Sequence, residues 1–151
     1  MKIEGTYKIA APQALVWSKL MDPGVLQRAM PGCEKLEPDG DHRYRAVLKA
    51  GVGPVKGTFT SEVALSDIDN DHGYTLTTRA KAPVGFVEGS GRVQLVENAG
   101  ETVIHFIGEV KVGGALASVG GRLVEAAARK NINDTFANLA RECGAAAKPI
   151  G

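Results

Sequence analysis

Residues 115–143 read ALASVGGRLVEAAARKNINDTFANLAREC. No proline interrupts them, and Leu, Ala, Arg, Lys and Glu, all good helix formers, dominate. The spacing predicts one helix over Ala115–Cys143, roughly 43 Å long at ~1.5 Å per residue, enough to cross a small domain. Leu116, Gly120, Val124, Ala128, Ile132 and Phe136 form an i+4 row, which drifts around the helix axis. The C-terminal half, with Ile132, Phe136, Leu139 and Cys143, is therefore expected to clamp the core. The half that begins at Gly113-Gly114 and contains Gly120-Gly121 is expected to face another side, as a movable wall.

Upstream of this stretch the period changes from helical to alternating. Ile3, Tyr7 and Ile9 alternate with Lys2, Glu4, Thr6 and Lys8, the pattern of a half-buried strand. Pro12 and Asp22-Pro23 then open two short helices, carrying Leu15, Val16 and Leu20, and Val25, Leu26 and Met30. From Cys33 to Val112 six runs alternate in the same way, separated by turns such as Pro38-Asp39-Gly40-Asp41, Asn70-Asp71-His72-Gly73 and Asn98-Ala99-Gly100. The order is strand, two short helices, six strands, long helix. Each strand has one apolar face, and the long helix is the element large enough to cover it. The expected class is α+β: a curved, seven-stranded antiparallel sheet around a C-terminal helix, with two short helices between strands one and two.

Composition narrows the function classes. The chain has 151 residues, which predicts a single domain over 1–143 followed by a frayed tail over 144–151. Eighteen basic and 17 acidic residues give a formal net charge of +1. Such a balance gives no reason to expect nucleic acid as a partner, and at most peripheral contact with a membrane. The N-terminus lacks an apolar signal core, so a cytoplasmic location is expected, with room for peripheral contact at the inner face of the membrane. Cys33 and Cys143 are too far apart in sequence for a metal or redox pair and are read as reduced thiols.

Catalytic and metal-binding patterns are weak. His42 and His72 sit in polar turns, and His105 falls on the polar face of its strand. Asp67, Asp69 and Asp71 have the spacing of a calcium loop but lack its downstream bidentate glutamate, so they read as a solvated turn. Val52-Gly53-Pro54-Val55-Lys56-Gly57 lacks the Gly-Lys-Ser/Thr ending of a phosphate loop. No catalytic residue, metal or cofactor is assigned.

Several fragments, in this order and spacing, resemble one family. They are Met30-Pro31-Gly32-Cys33-Glu34 after the second helix, Tyr44-Arg45, and Val52–Gly57 leading into Phe59. Lys111-Val112-Gly113-Gly114-Ala115-Leu116-Ala117 and Gly120-Gly121-Arg122-Leu123 complete the set. Together they are similar to the CoxG family of carbon monoxide dehydrogenase proteins, over about residues 1–143. The resemblance implies the helix-grip fold of START domains, polyketide cyclases and birch-pollen-allergen-like proteins. It also implies service to a molybdenum hydroxylase of the CO dehydrogenase type: maturation, membrane recruitment, or binding of a lipophilic molecule such as a quinone. Some CoxG-like chains carry a hydrophobic C-terminal segment; this one ends at Gly151, so no permanent membrane anchor is expected.

Gly89, Gly91 and Gly108 fall on the inward face, where a packed core prefers larger residues. Two explanations remain open: close approach of backbone or a bulge, or room for a ligand. Helix-grip resemblance favours a pocket. Its expected lining is Phe59, Val63, Leu76, Phe86, Val93, Phe106 and Val110 from the sheet, Leu26 and Met30 as a lid, and Leu116, Val119 and Leu123 from the long helix, with Thr78 and Tyr74 as polar contacts. The resulting expectation is a non-enzymatic carrier of a quinone- or isoprenoid-like molecule. Two alternatives are an assembly or recruitment factor acting through the PGCE loop or Arg122, Glu125 and Arg129, and a cyclase or hydratase.

Overall fold

The computed structural model describes residues 1–144 and the backbone of 147–149. Strand β1 (Lys2–Ile9) buries Ile3, Tyr7 and Ile9, as its alternation requires. Helix α1 (Gln13–Leu20) follows Pro12, and α2 (Pro23–Ala29) follows Asp22. The Asp22 carboxylate accepts hydrogen bonds from the backbone N–H of Gly24 at 2.9 Å and of Val25 at 3.4 Å, and so caps α2. Pro23 takes the first helical position, where a missing N–H costs nothing.

A meander follows: β2 (Cys33–Pro38), β3 (Arg43–Val52), β4 (Val55–Asp69), β5 (Gly73–Ala82), β6 (Gly85–Asn98) and β7 (Glu101–Gly113). Strand β1 closes the curve by pairing antiparallel with β7, from Lys2 opposite Glu109 to Ile9 opposite Thr102. The register slips between Ser66 and Asp69, and Asp67 lies in the left-handed region at φ 50°. Such a bulge bends and twists the long strand β4. An eighth strand, β8 (Ala147–Pro149), pairs with the free edge of β1, so the sheet has eight strands in the order β2-β3-β4-β5-β6-β7-β1-β8. This strand falls within the tail expected over 144–151, of which 145–146 and 150–151 lie outside the described residues.

The single helix expected over Ala115–Cys143 is corrected. Gly114–Val119 form a 3-10 segment, and α3 runs from Gly121 to Glu142. Gly120 separates them at φ 102° and ψ 147°, a backbone geometry no helix contains and few side chains tolerate. The 3-10 segment is fastened to the β5–β6 turn, where the Leu116 N–H donates to the Val84 carbonyl at 2.9 Å.

The C-terminal half of α3 is the clamp. It buries Phe136, Leu139 and Ala140, and the Phe136 ring stacks on Tyr7 with centroids 4.4 Å apart. The Tyr7 hydroxyl donates to the Asn133 side-chain oxygen. Two further contacts strap α2 to α3: Asn138 Nδ2 donates to the Ala29 carbonyl at 2.9 Å, and Arg28 Nε and Nη2 donate to Glu142 Oε1 at 2.9 and 2.5 Å.

Gly32 explains part of the Pro-Gly-Cys-Glu fragment. Its φ is 74°, and a Cβ there would lie 2.1 Å from the Lys49 carbonyl oxygen. Its own carbonyl accepts from the Lys49 N–H at 2.9 Å. The fragment thus seats the α2–β2 connection on β3.

Two clusters make up the hydrophobic core. The first joins Tyr7, Ile9, Val16, Trp17, Leu20, Val25, Tyr74, Val93, Leu95, Ile104, Phe136 and Leu139. The second, smaller cluster joins Val52, Phe59, Ala80, Leu116 and Val124.

Candidate functional site

The space between the two clusters follows from register. Across the inner face, Tyr44 lies opposite Val63, Val63 opposite Thr78, Thr78 opposite Gly89, and Gly89 opposite Val110. The neighbouring row reads Ala46, Ser61, Ala80, Val87 and Val112. Both rows are built largely from small or hydroxyl-bearing residues, so the sheet cannot fill the distance to α3 there. A hollow of about 940 Å³ results. Tyr44, Val63, Thr78, Gly89, Val110 and Val112 line it from the sheet, and Ala117, Gly121 and Val124 from the helical side. Its size lies within the roughly 300–1,000 Å³ of small-molecule sites.

The three inward glycines divide between the two explanations. A Cβ on Gly91 would lie 2.8 Å from Phe106 Cε2, and one on Gly108 would lie 3.0 Å from Phe106 Cζ. These two make way for the Phe106 ring. A Cβ on Gly89 would meet its nearest neighbour, Thr78 Cγ2, at 3.4 Å, an ordinary contact. Gly89 is the glycine that leaves room in the hollow.

Of the residues predicted to line a pocket, Val63, Thr78 and Val110 do so. The others are placed elsewhere. Tyr74 and Val93 are core residues of the first cluster, and Leu26, Leu76 and Phe106 pack against it. Phe59 and Leu116 belong to the second cluster, with Val119 packed against it. Met30 is the half-buried cap of α2 and binds Leu26 through its own N–H. Two placements are corrected outright. Phe86 alternates with inward Val87, so its ring lies on the outer face, where it covers the site a Cβ on Gly113 would take, 2.0 Å from Phe86 Cε1. Leu123 is 51% exposed, because the break at Gly120 sets the phase of α3 so that Val124 faces the sheet. Tyr44, Gly121 and Val124 join the site instead, the first through cross-strand register and the other two through the phase of α3.

The hollow combines hydroxyl groups with a border of charged residues, Asp39, Arg43, Glu62, Arg79, Glu88, Glu109 and Lys111. Ser61 Oγ and Thr78 Oγ1 share a hydrogen bond of 3.0 Å, and Ser61 is buried. Tyr74, edge-on to Trp17 at 5.9 Å, has its phenol pushed far above the ordinary range by burial, with a further push from the Tyr44 phenol. Charged residues border the space from the strands, with Arg79 Nε 3.8 Å from Glu88 Oε1 on exposed side chains. The histidines are outside it: His42 and His72 are exposed in turns, and His105 Nε2 lies 3.4 Å from Glu4 Oε1 on the outer face. Asp67 Oδ2 accepts from Thr75 Oγ1 at 3.1 Å, so part of the acidic turn is engaged with the sheet. The external patch expected around Arg122, Glu125 and Arg129 is largely self-paired, with Arg129 Nη2 on Glu125 Oε1 at 3.1 Å and Nη1 on the Glu4 carbonyl at 3.3 Å.

A curved antiparallel sheet gripping a C-terminal helix, with two short helices after the first strand and a hollow beneath the helix, is the START-like helix-grip fold. Solved structures agree. A conserved protein from Geobacillus kaustophilus matches at 29% identity and a TM-score of 0.92, covering 97% of this chain and 99% of that one. A START superfamily protein from Mycobacterium smegmatis matches at 14% identity and 0.69, covering 95% and 97%. The Zhui aromatase/cyclase from Streptomyces sp. R1128 matches at 23% and 0.65, covering 95% and 93%. No curated protein matches the sequence. The model of the carbon monoxide dehydrogenase CoxG family matches residues 5–144, and the chain belongs to that family. No helix among the described residues is long and apolar enough to cross a membrane.

Proposed function

We propose that this chain holds a neutral lipophilic small molecule, quinone- or isoprenoid-like, between its sheet and α3, without transforming it. It does so in the service of a CO dehydrogenase of the molybdenum hydroxylase type. The observation that carries the reading is the interrupted core. Interiors are normally close-packed, yet two apolar clusters here are separated by a hollow of about 940 Å³ lined by Val63, Gly89, Val110, Val112 and Val124. Burial at ~25 cal/mol per Å² of apolar surface holds a greasy molecule there without any charge. The hydroxyls of Tyr44 and Thr78 supply donors for a carbonyl or hydroxyl on that molecule, with Ser61 holding Thr78 from behind. Of the ionisable groups at the border of the hollow, Arg79 and Glu88 pair with each other on exposed side chains, which supports binding over turnover.

Organic extraction of the purified protein, analysed by mass spectrometry, tests this, together with titration by quinones of several tail lengths. A retained neutral lipid or saturable quinone binding is expected. A protein that carries no lipid and binds none of the series sinks the reading.

A further inference from the structure

Register brings a second set of residues together on the other side of the sheet. Glu37, Arg45, Glu62, Arg79, Glu88 and Lys111 stand level with one another on consecutive strands, β2 to β7. They alternate along their strands with buried residues such as Leu36, Ala46, Ser61 and Ala80, so the row lies on the outer face. Its signs alternate without a break. Opposite charges on neighbouring strands favour a sheet by themselves, but these side chains make little use of that. Among the described residues, Arg79 and Glu88 are the only neighbours in the row that form an ion pair, at 3.8 Å. Glu37 turns to Lys35 and Arg45 to Asp39. Glu62 and Lys111 have no ion-pair partner among the described residues.

An alternating row with an even number of charges has every sign inverted when it is reversed end to end. A two-fold axis along the strands, between β4 and β5, performs that reversal when it lays the outer face of one copy of this chain on that of another. Glu62 then meets Arg79 of the second copy, and Arg45 meets Glu88 of the second copy, each pair occurring twice. The level on one side of the row holds Val47, Thr60, Lys81 and Phe86. Val47 and Phe86 are half-buried apolar side chains, and the same axis sets them against each other. The level on the other side holds Arg43, Ala64, Thr77 and Ser90. There Ala64 meets Thr77, and such small side chains let the two sheets close in.

We infer that the outer face of β3–β6 is a self-association surface, and that its partner is a second copy of this chain. Strand spacing decides between the candidates. Charges in the row recur at the ~4.8 Å of neighbouring strands, and another such sheet keeps step with them. An extended peptide presents side chains on one face every ~6.8 Å and falls out of step within a few pairs. A surface of one sign, such as nucleic acid or an acidic protein, repels half of the row. The sheet curves away from a partner on its outer face, which confines the contact to the central strands. Three levels on four strands cover roughly 400 Å² a side, against the ~800 Å² a side of a standard interface. The pairing is therefore a weak, concentration-dependent dimer. It leaves the inner face of each sheet, and the hollow, free.

Sedimentation equilibrium of the full chain tests it, from about 10 µM to about 1 mM, at low salt and at about 0.5 M salt. A dimer that loosens with salt is expected. Glu62→Arg and Arg79→Glu should each weaken it at least ~10-fold, because each sets like charges against one another twice. An equimolar mixture of the two variants, one of them fluorescently labelled, should associate about as tightly as the parent. In the mixed dimer, positions 62 and 79 oppose each other with opposite signs at both places. Charges that only brace their own sheet give no such rescue, since mixing leaves each chain's own row unchanged. The pair Arg45→Glu and Glu88→Arg repeats the test one strand further out, with circular dichroism verifying the fold of all four variants. A parent that stays monomeric over the whole range overturns the proposal. So do single variants that associate as the parent does, or mixtures no tighter than either variant alone.

Discussion

Ser61 and Thr78 face each other diagonally across β4 and β5, their hydroxyls 3.0 Å apart, and Thr78 lines the hollow beside Val63, Gly89 and Val110. A buried hydroxyl left without a partner costs roughly 1–3 kcal/mol, whereas replacing both partners by apolar groups is nearly neutral. Thr78→Val alone should therefore lower stability by about that amount, and Ser61→Ala/Thr78→Val should recover most of it. If these hydroxyls also orient the ligand, the double variant should be stable but bind a quinone about 2- to 10-fold more weakly. Urea denaturation and ligand titration of the same three proteins separate the two effects.

The inward glycines make a second contrast. Gly89→Leu adds a side chain where a Cβ meets its neighbours at ordinary distance, so the variant should fold and lose ligand uptake. Gly91→Leu drives a side chain into the Phe106 ring and the Ile107 carbonyl, and should cost at least ~1–3 kcal/mol of stability. Thermal melts paired with lipid extraction give the readout. A Gly89→Leu protein that still binds at parental affinity would place the ligand elsewhere.

The halves of the C-terminal element should differ in dynamics. Amides in Leu116–Leu123, which spans a 3-10 turn and the break at Gly120, should exchange faster than those in Ile132–Leu139 in the ligand-free protein. Phe136, 7% exposed and stacked on Tyr7, should cost ~3–5 kcal/mol when changed to Ala. Hydrogen exchange by mass spectrometry and a chemical melt check these expectations, and equal protection of the two halves refutes the first.

The strap between α2 and α3 is sensitive to acid. Hydrogen bonding from Arg28 holds the Glu142 carboxyl below its ordinary range. A carboxylate with a depressed folded-state pKa stabilises fully above its unfolded value, and the contribution fades as the pH falls through the folded value. The parent should therefore lose stability relative to Glu142→Gln as the pH drops below the ordinary carboxylate range. Parallel melts from neutral to acidic pH measure the gap, which should close at the acid end.

Element type and strand face are legible in the sequence because each strand is half-buried and its alternation is clean: Tyr7, Phe59, Tyr74, Val93 and Ile104 are all buried as their spacing implies. The break at Gly120 is not legible, since helical propensity is summed over a window and one glycine with φ 102° overrides it. Nor is the site. Alternation tells which face Val63, Thr78 and Val110 occupy, but which residues lie level with one another depends on register, and a core residue and a cavity residue share one pattern. Tyr44, Gly89 and Val124 meet only once β3 to β7 are aligned and α3 is phased. Leu123 escapes a sequence reading because apolar character says nothing of phase after a helix break, whereas the outward place of Phe86 is legible from the alternation that puts Gly89 inward.

Separation of the core into two clusters bears on cooperativity. With the hollow unfilled, Tyr7, Ile104 and Phe136 at one end and Phe59, Leu116 and Val124 at the other have little side-chain matter between them through which to share strain. An apolar guest seated on Gly89 and Val110 would act as a missing core residue and join both ends into one melting unit. Loading should then sharpen the thermal transition as well as raise its midpoint, a signature distinct from that of a ligand bound at the surface.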